Sequence, residues 1–271
     1  MTTAPMAEPA PGFTLDVSGT RPVPFSRLVN VELRKMADTR AGRWLLISIA
    51  AVTALVLVIQ LSVVLSQGLF VELRDFTVAM NTPMGVLLPV LGVMSVSSEW
   101  GQRTAMVTFT LEPSRLKLVL AKFAATMLVA VAAVVVGMAL SVVLNLVYGS
   151  LSGHHVIWGF GTPDVFYVLL LHIFGMASGF AFGMLFLNTA AGIVVYFVYS
   201  FVLPGLFQLG AALMGWFADL QPWIDFGAAQ NPLIDGNLTG TQWAHLAVSG
   251  LIWLVLPLAV GAWRVLRAEV K

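Results

Sequence analysis

The sequence predicts an all-α membrane protein with six transmembrane helices and an N-terminal amphipathic interfacial helix. Of its 271 residues, 59% are hydrophobic and only 10% are charged, whereas a soluble domain averages about 25% charged residues. The few charges separate long apolar runs. If these runs cross a membrane, almost all of the basic residues lie on the same side of it. So little polar surface excludes a soluble enzyme, a nucleic-acid-binding protein and a disordered chain. The absence of cysteine excludes disulfides, thiolate metal sites and cysteine nucleophiles.

The uncharged runs define the predicted spans. A helix that crosses a bilayer needs about 20 apolar residues. The longest uncharged run, Val165 to Ala218, is too long for one helix, and the polar pair Asn188-Thr189 divides it. The predicted spans are therefore 44–66, 77–97, 120–148, 164–187, 190–217 and 243–266.

The distribution of charge orients these spans. Thirteen of the fourteen bases lie on one side of them, and Arg74 is the exception. The opposite loops carry six acids: Glu72, Asp75, Asp164, Asp219, Asp225 and Asp235. Because cytoplasmic loops are enriched in Lys and Arg, we expect both termini and the loop 98–121 to be cytoplasmic in a multi-pass protein of the cell's inner or plasma membrane.

The N-terminal region divides into two parts before the six-helix transmembrane domain, residues 44–271. Residues 1–24 lack the apolar run of a cleavable signal peptide and are predicted to form a disordered cytoplasmic tail. Residues 25–43 are predicted to form the amphipathic interfacial helix, with an ordinary basic flank as the alternative. Its apolar face would hold Phe25, Leu28, Val29, Leu33 and Met36, and its polar face Arg27, Asn30, Arg34 and Asp38.

The loop 98–121 contains a short apolar stretch, Ala105 to Leu111, which ends before Pro113. This stretch is too short to span a bilayer and too hydrophobic for a free loop, so it is expected to dock against another surface. Glu99 lies near the C-terminus of the second span, where a carboxylate opposes the helix dipole and needs a partner.

This loop resembles the corresponding loop of permease subunits of ABC-2 type ABC transporters. The resemblance extends to the amphipathic first helix, the six spans and a long last outer loop. The residues that match the family pattern are Glu99, Arg103, Thr104, Pro113, Ser114, Arg115 and Lys122.

The resemblance implies a type V exporter-like fold in which the loop is a coupling helix bound to an ATP-binding subunit. Glu99 and Arg103 would anchor its base through an ion pair or a helix cap. The docking helix would follow Thr104 and include Phe109. The ATPase contacts would come from Glu112, before the break at Pro113, and from Arg115 and Lys117 after it.

The partners implied by the resemblance are an ATP-binding subunit, a second permease chain (identical or different) and the lipid bilayer, without nucleic acid. This chain would not be an enzyme and would bind no cofactor itself. ATP and Mg would be bound by the partner ATPase, since the sequence contains no G-x-x-x-x-G-K-[ST] phosphate loop.

Within the spans, small residues and prolines mark two further features. Gly175, Gly179 and Gly183 are spaced four apart, which predicts close helix packing. Pro83, Pro89 and Pro204 predict kinks. Three polar residues lie near these kinks and are predicted to face protein or a cavity: Asn81, Thr82 and Gln208. They have two equally probable roles, which are hydrogen bonding between helices and lining of a substrate pathway.

The last outer loop, residues 218–242, is rich in aromatic residues. In ABC-2 permeases this region often contains short re-entrant helices that cap the outer end of the pathway. The alternative is an aromatic belt at the membrane–water interface.

Two other function classes compete with an exporter subunit. A rhomboid-type intramembrane protease would use Ser178 and His245, but their predicted depths in the membrane differ too much for a nucleophile and its base. A secondary transporter would work without ATP, yet carriers of this kind generally need intramembrane acids or bases, and the helix interiors offer only His172. The substrate is not encoded in a readable motif, since an apolar pathway suits amphiphiles in general.

The cysteine-free sequence allows a direct test of the predicted topology. Single cysteines at Thr3, Ser114 or Lys271 should react with impermeant thiol reagents only from the cytoplasmic side. A cysteine at Asn237 should react only from the outside. Labelling of the Ser114 position from outside would overturn the six-span topology.

Overall fold

The computed structural model describes residues 22–102, 104–236 and 238–268, and these ranges are 87% helical without a strand. The tail up to residue 21, Arg103, Asn237 and residues 269–271 lie outside the described residues. Six helices are long and apolar enough to cross a membrane. The prediction of an all-α chain with six such helices is therefore confirmed.

The helices are numbered here in chain order, each with its bounds. The N-terminal helix α1 covers Phe25–Asp38, and the first two candidate spans are α2 (Arg40–Gln67) and α3 (Leu73–Gly101). The remaining helices are α4 (Ala105–Leu111), α5 (Arg115–Ser152), α6 (Thr162–Phe186), α7 (Thr189–Leu213), α8 (Gly215–Ile224), α9 (Phe226–Asp235) and α10 (Gly240–Arg267).

The amphipathic segment ends earlier than the predicted residue 43. Thr39 leaves the helical conformation, and its hydroxyl accepts a hydrogen bond from the Gly42 amide at 3.2 Å. Because that contact caps a new helix, Arg40 to Arg43 belong to α2. On α1, Met36 is buried and Leu28, Val29 and Leu33 are half-buried, whereas Phe25 is 44% exposed. The polar face is exposed at Arg27, Asn30, Arg34 and Asp38.

The tightest helix contact joins α3 to α6 through the three spaced glycines. A Cβ atom on Gly179 would overlap the backbone of Pro89, and one on Gly183 would overlap the backbone of Val93. From the other side, Gly92 of α3 faces the backbone of α6 at Met176. Small residues thus let the two backbones meet, which is how membrane helices pack when hydrophobicity does not drive them together.

The long uncharged run divides at the expected polar pair. Leu187 has a left-handed φ of 52° and ends α6, and the Asn188 side chain accepts a hydrogen bond from the Ala191 amide at 3.0 Å. This cap starts α7, which ends at Leu213 because Met214 is extended.

Two helices contain a π turn directly before a Leu-Pro pair. The turn in α7 covers Val198–Val202 and precedes Pro204, and the turn in α10 covers Leu251–Val255 and precedes Pro257. A proline in a helix lacks an N–H and clashes with the carbonyl four residues earlier. The wider turn accommodates that carbonyl, so each proline stays inside a continuous span.

The segment between α7 and α10 folds into the short helices α8 and α9, whose junction reaches deep into the bundle. The indole N–H of Trp253 donates to the carbonyl of Ile224 at 2.7 Å, and Trp253 lies 13 residues beyond the start of α10. The Phe226 ring lies 5.5 Å from the ring of Phe174, which is 12 residues into α6. At 1.5 Å per residue, the junction therefore lies about 18–20 Å from the N-terminal ends of α10 and α6. The helix pair α8–α9, termed the re-entrant pair, thus enters the bundle and returns to the same end.

The α3–α6 contact predicts a difference between two glycine-to-alanine variants. Gly179→Ala should destabilise the protein by about 1–3 kcal/mol, because its methyl group meets backbone that has no rotamer to change. Gly205→Ala is the matched control, since a Cβ atom there meets nothing within 4 Å. Unfolding titrations in mixed micelles measure both variants, and equal stabilities would contradict the close contact.

Candidate functional site: a buried charge cluster beside helix α4

Four charged side chains form a closed cluster where α1, α3 and α5 meet. The ammonium group of Lys122 lies 2.6 Å from a carboxylate oxygen of Glu32 and 2.7 Å from one of Glu99. The ammonium group of Lys35 lies 2.8 Å from Glu32 and 2.9 Å from Glu99. Each acid thus contacts both bases, and the charge cluster Glu32–Lys35–Glu99–Lys122 has no net charge.

Burial makes this cluster costly to disturb. Glu32 is 4% exposed and Lys122 is 6% exposed, although both side chains are ionisable. Removing two charges from water costs several kcal/mol for each ion, and close pairing with good hydrogen bonds offsets that cost. An intact cluster is therefore tolerated, whereas loss of a fully buried member leaves a buried charge without compensation.

Lys35 is the most exposed member of the cluster and remains protonated. Burial by itself lowers the pKa of Lys35, but the hydrogen bonds to Glu32 and Glu99 outweigh it and hold the pKa above its ordinary value. A base with a raised pKa stabilises the folded state below its ordinary pKa of 10.5, and the contribution disappears as the pH rises through the folded value. The Lys35 contacts therefore persist at neutral pH.

The charge cluster forms one wall of a cavity of about 850 Å³, which lies at the end of the bundle where α1, α3 and α5 meet. The turn between α1 and α2 supplies Thr39, and α4 with its preceding residue supplies Thr104 and Val107. Thr126 and Thr189 are among the other polar residues of the lining. The cavity thus separates the underside of α4 from the charge cluster.

Helix α4 is fixed at its N-terminal end to the helix that carries Glu99. The amide of Thr104 donates to the carbonyl of Glu99 at 2.9 Å. Phe109 faces the chain, with its ring 6.1 Å from Trp100 and under the guanidinium of Arg115 at 4.8 Å. Among the described side chains of α4, the exposed apolar ones are Met106 at 49% and Val107 at 61%. The exposed apolar surface described for α4 therefore consists of Met106 and of Val107, which also lines the open cavity, and not of Phe109.

The three charged residues expected to contact an ATPase make contacts within the chain. Glu112 pairs with Lys117 at 3.0 Å, and Lys117 also donates to the carbonyl of Val23 at 2.7 Å. Arg115 donates to the carbonyl of Ala268 at 2.8 Å, directly after the last turn of α10. These contacts thus join the start of α5 to the residues before α1 and to the end of α10. Pro113 is exposed between α4 and α5.

Glu99 obtains the partner that its position near a helix C-terminus requires. Its described partners are the two lysines of the cluster. Arg103, the partner implied by the family resemblance, lies outside the described residues.

The polar residues near the predicted kinks do not come together. Thr82 and Gln208 are exposed on the surface of the chain. The side-chain oxygen of Asn81 is buried without a hydrogen-bond partner among the described residues. Neither the cavity beside α4 nor a smaller cavity in the middle of the bundle is lined by any of the three.

The two residues proposed for a protease also lie apart in depth. Ser178 is 16 residues into α6 and lines the smaller cavity, whereas His245 is five residues into α10 with its ring 4.5 Å from the ring of Trp223. These positions correspond to about 24 Å and about 8 Å from the same end of the bundle.

Sequence reasoning missed Glu32 and Lys35 of the cluster and the buried Asp225. The sequence does contain a signal for Glu32 and Lys35, because Glu32 lies between Leu28 and Met36 on the apolar side of α1. An acid on an apolar helix face needs a base nearby. Asp225 gives no such signal, since it is one of several acids in a loop.

No protein-family model matches the sequence, and no curated protein matches it.

The cluster predicts unequal effects for its two lysines. Lys122→Met should reduce the free energy of unfolding by about 3–5 kcal/mol, because both glutamates stay buried with one base between them. Lys35→Met should cost about 1 kcal/mol or less, since water screens a side chain that is 37% exposed. Mixed-micelle unfolding titrations test this order, with the exposed Arg34→Met as the control. Equal effects of all three substitutions would contradict a buried, coupled cluster.

Proposed function

We propose that the chain is the membrane-spanning permease subunit of an ATP-driven exporter of the ABC-2 type. It would form the substrate pathway together with a second permease chain and couple to a separate ATP-binding subunit. The observation that carries this proposal is the charge cluster, which joins α1, α3 and α5 beside a short helix with two exposed apolar residues. A short, firmly anchored apolar helix at the basic end of the bundle is the kind of surface that a cytoplasmic motor protein can push.

The contacts around α4 provide a route for such a push. Displacement of α4 acts on α3 through the Thr104–Glu99 backbone bond. It reaches α5 and α1 through the cluster, because Glu99 contacts both Lys122 and Lys35. From α3 the movement passes to α6, since their glycine contacts leave no space for one helix to move alone. The helices would therefore tilt as a unit.

The nucleotide would belong to the partner. The sequence contains no phosphate-binding G-x-x-x-x-G-K-[ST] loop, so ATP and Mg would be bound by the ATPase. Both termini and α4 would face the cytoplasm of the inner or plasma membrane, in keeping with the concentration of bases at that end.

One observation favours a second candidate, a secondary transporter that uses an ion gradient. Asp225 is 1% exposed at the re-entrant junction, and an ionisable residue at such a depth is typical of ion-coupled carriers. Transport in sealed vesicles separates the two candidates. An exporter stops when ATP is removed with the ion gradients intact, and a secondary transporter stops when ionophores dissipate the gradients.

The α4 surface predicts which substitution breaks the complex. Val107→Asp should abolish copurification of an Mg·ATP-hydrolysing subunit with the tagged chain from its own membranes, because a charge would be buried at the interface without a partner. Asn30→Asp, which adds the same charge on the exposed face of α1, should leave the complex intact. ATP hydrolysis by the isolated chain, or equal copurification with both variants, would contradict the proposal.

A further inference from the structure

A small cavity of about 130 Å³ lies in the middle of the bundle. Its walls come from α3, α6, α7, α10 and the α8–α9 junction. Gly85 and Ser178 lie 12 and 16 residues into their helices, about 18 Å and 24 Å from the outer ends. The cavity is therefore far from the acidic end of the bundle.

Asp225 is a buried acid of this cavity without a basic partner. One of its carboxylate oxygens accepts a hydrogen bond from the Ala228 amide at 3.0 Å and caps α9. The other accepts from the side chain of Gln221 at 3.3 Å. No Lys, Arg or His of the described ranges lies within salt-bridge distance of it. Neutral donors alone leave a carboxylate at this depth in need of a positive charge.

Aromatic rings surround this carboxylate. Tyr196, Tyr199, Phe207, Phe226 and Trp253 all line the cavity. The hydrogen bond from Trp253 to Ile224 holds the indole against the backbone next to Asp225. Tyr199 packs on the same indole with ring centroids 5.2 Å apart. Aromatic faces attract organic cations, most strongly where water is excluded.

The two π turns of the fold supply residues to this same cavity. Tyr199 and Ser200 belong to the turn in α7, and Trp253 belongs to the turn in α10. π turns inside α-helices often occur at functional sites. Two separate helices thus place this irregularity, which accommodates Pro204 and Pro257, at one cavity.

We propose that this cavity binds the ammonium head group of a cationic amphiphile. Its volume equals that of about four water molecules in the liquid, which suits a methylated ammonium group. A drug-sized ligand needs about 300–1,000 Å³, so the apolar tail of the ligand extends outside the cavity. Gly85 provides the rim for this tail, because the residue is exposed and a Cβ atom there would meet nothing within 4 Å. The inference that the amphiphile is a transport substrate rests on the proposed function, whereas the inference that it binds in this cavity does not.

The test measures binding of radiolabelled decyltrimethylammonium to the full chain in lipid nanodiscs, with empty nanodiscs subtracted. Asp225→Asn removes the charge but keeps an N-cap residue of equal quality, so the fold is retained. Asp219→Asn is the matched control, since it removes an exposed acid from the same helix pair. Gly85→Leu fills the rim without altering the carboxylate.

The wild-type chain should bind the probe saturably, and excess tetramethylammonium should displace it while decyl maltoside should not. Asp225→Asn and Gly85→Leu should each weaken binding about tenfold or more, and Asp219→Asn should leave it unchanged. Equal binding by wild type and Asp225→Asn, or no saturable binding, would overturn the proposal. Displacement by sodium at the concentration at which tetramethylammonium acts would also overturn it, in favour of an inorganic cation. Since the assay contains no ATPase, its result is independent of whether the chain belongs to an ATP-driven complex.

Discussion

The buried pairing of two lysines with two glutamates determines how the helices at the basic end of the bundle are arranged. Apolar helix faces in a bilayer gain little from choosing one apolar neighbour over another, since lipid tails are equally apolar. Buried charges discriminate strongly, because any arrangement that separates Lys122 from Glu32 and Glu99 leaves an ion uncompensated. The cluster thus fixes the amphipathic helix α1 to the membrane bundle at one defined position.

Helix α3 connects this cluster with the interior of the bundle. It carries Glu99 at its basic end, meets α6 at Pro89 and Gly92, and reaches the small cavity at Gly85. Glu99 and Gly85 are 14 residues apart, about 21 Å along the helix. Close backbone packing makes this connection stiff. Close packing thus connects the region of α4 to the walls of the cavity that contains Asp225, as the proposed coupling requires.

The features that were predictable from the sequence are those with a local physical cause. The six apolar spans, the polar break at Asn188 and the spaced glycines of α6 all depend on length, composition or spacing within one segment. The cluster was only partly predictable, because the need of Glu99 for a partner is local but its pairing with Lys122 depends on how α3 meets α5. Periodicity over the seven residues of α4 does not determine which face Phe109 occupies.

The burial of Asp225 could not be predicted from the sequence at all. In sequence it belongs to a punctuated loop with two other acids, Asp219 and Asp235, and such loops are normally solvated. Its burial depends on the contact between Ile224 and Trp253, which lie on different helices. A re-entrant helix pair is too short to be distinguished by hydropathy from a surface loop. The single acid with the greatest chemical interest is thus the one whose environment only the tertiary structure defines.

Hydrogen–deuterium exchange of the α1 backbone amides tests directly whether the charge cluster holds this helix. In the wild-type chain, the amides of residues 28–38 should be strongly protected, and Glu99→Gln should accelerate their exchange by about tenfold or more while the middle of α6 stays protected. The acceleration is expected because Glu99 lies on α3, so its loss acts on α1 only through Lys35 and Lys122. Unchanged protection of α1 in Glu99→Gln would show that its apolar face alone holds it, and that the cluster does not organise this end of the protein.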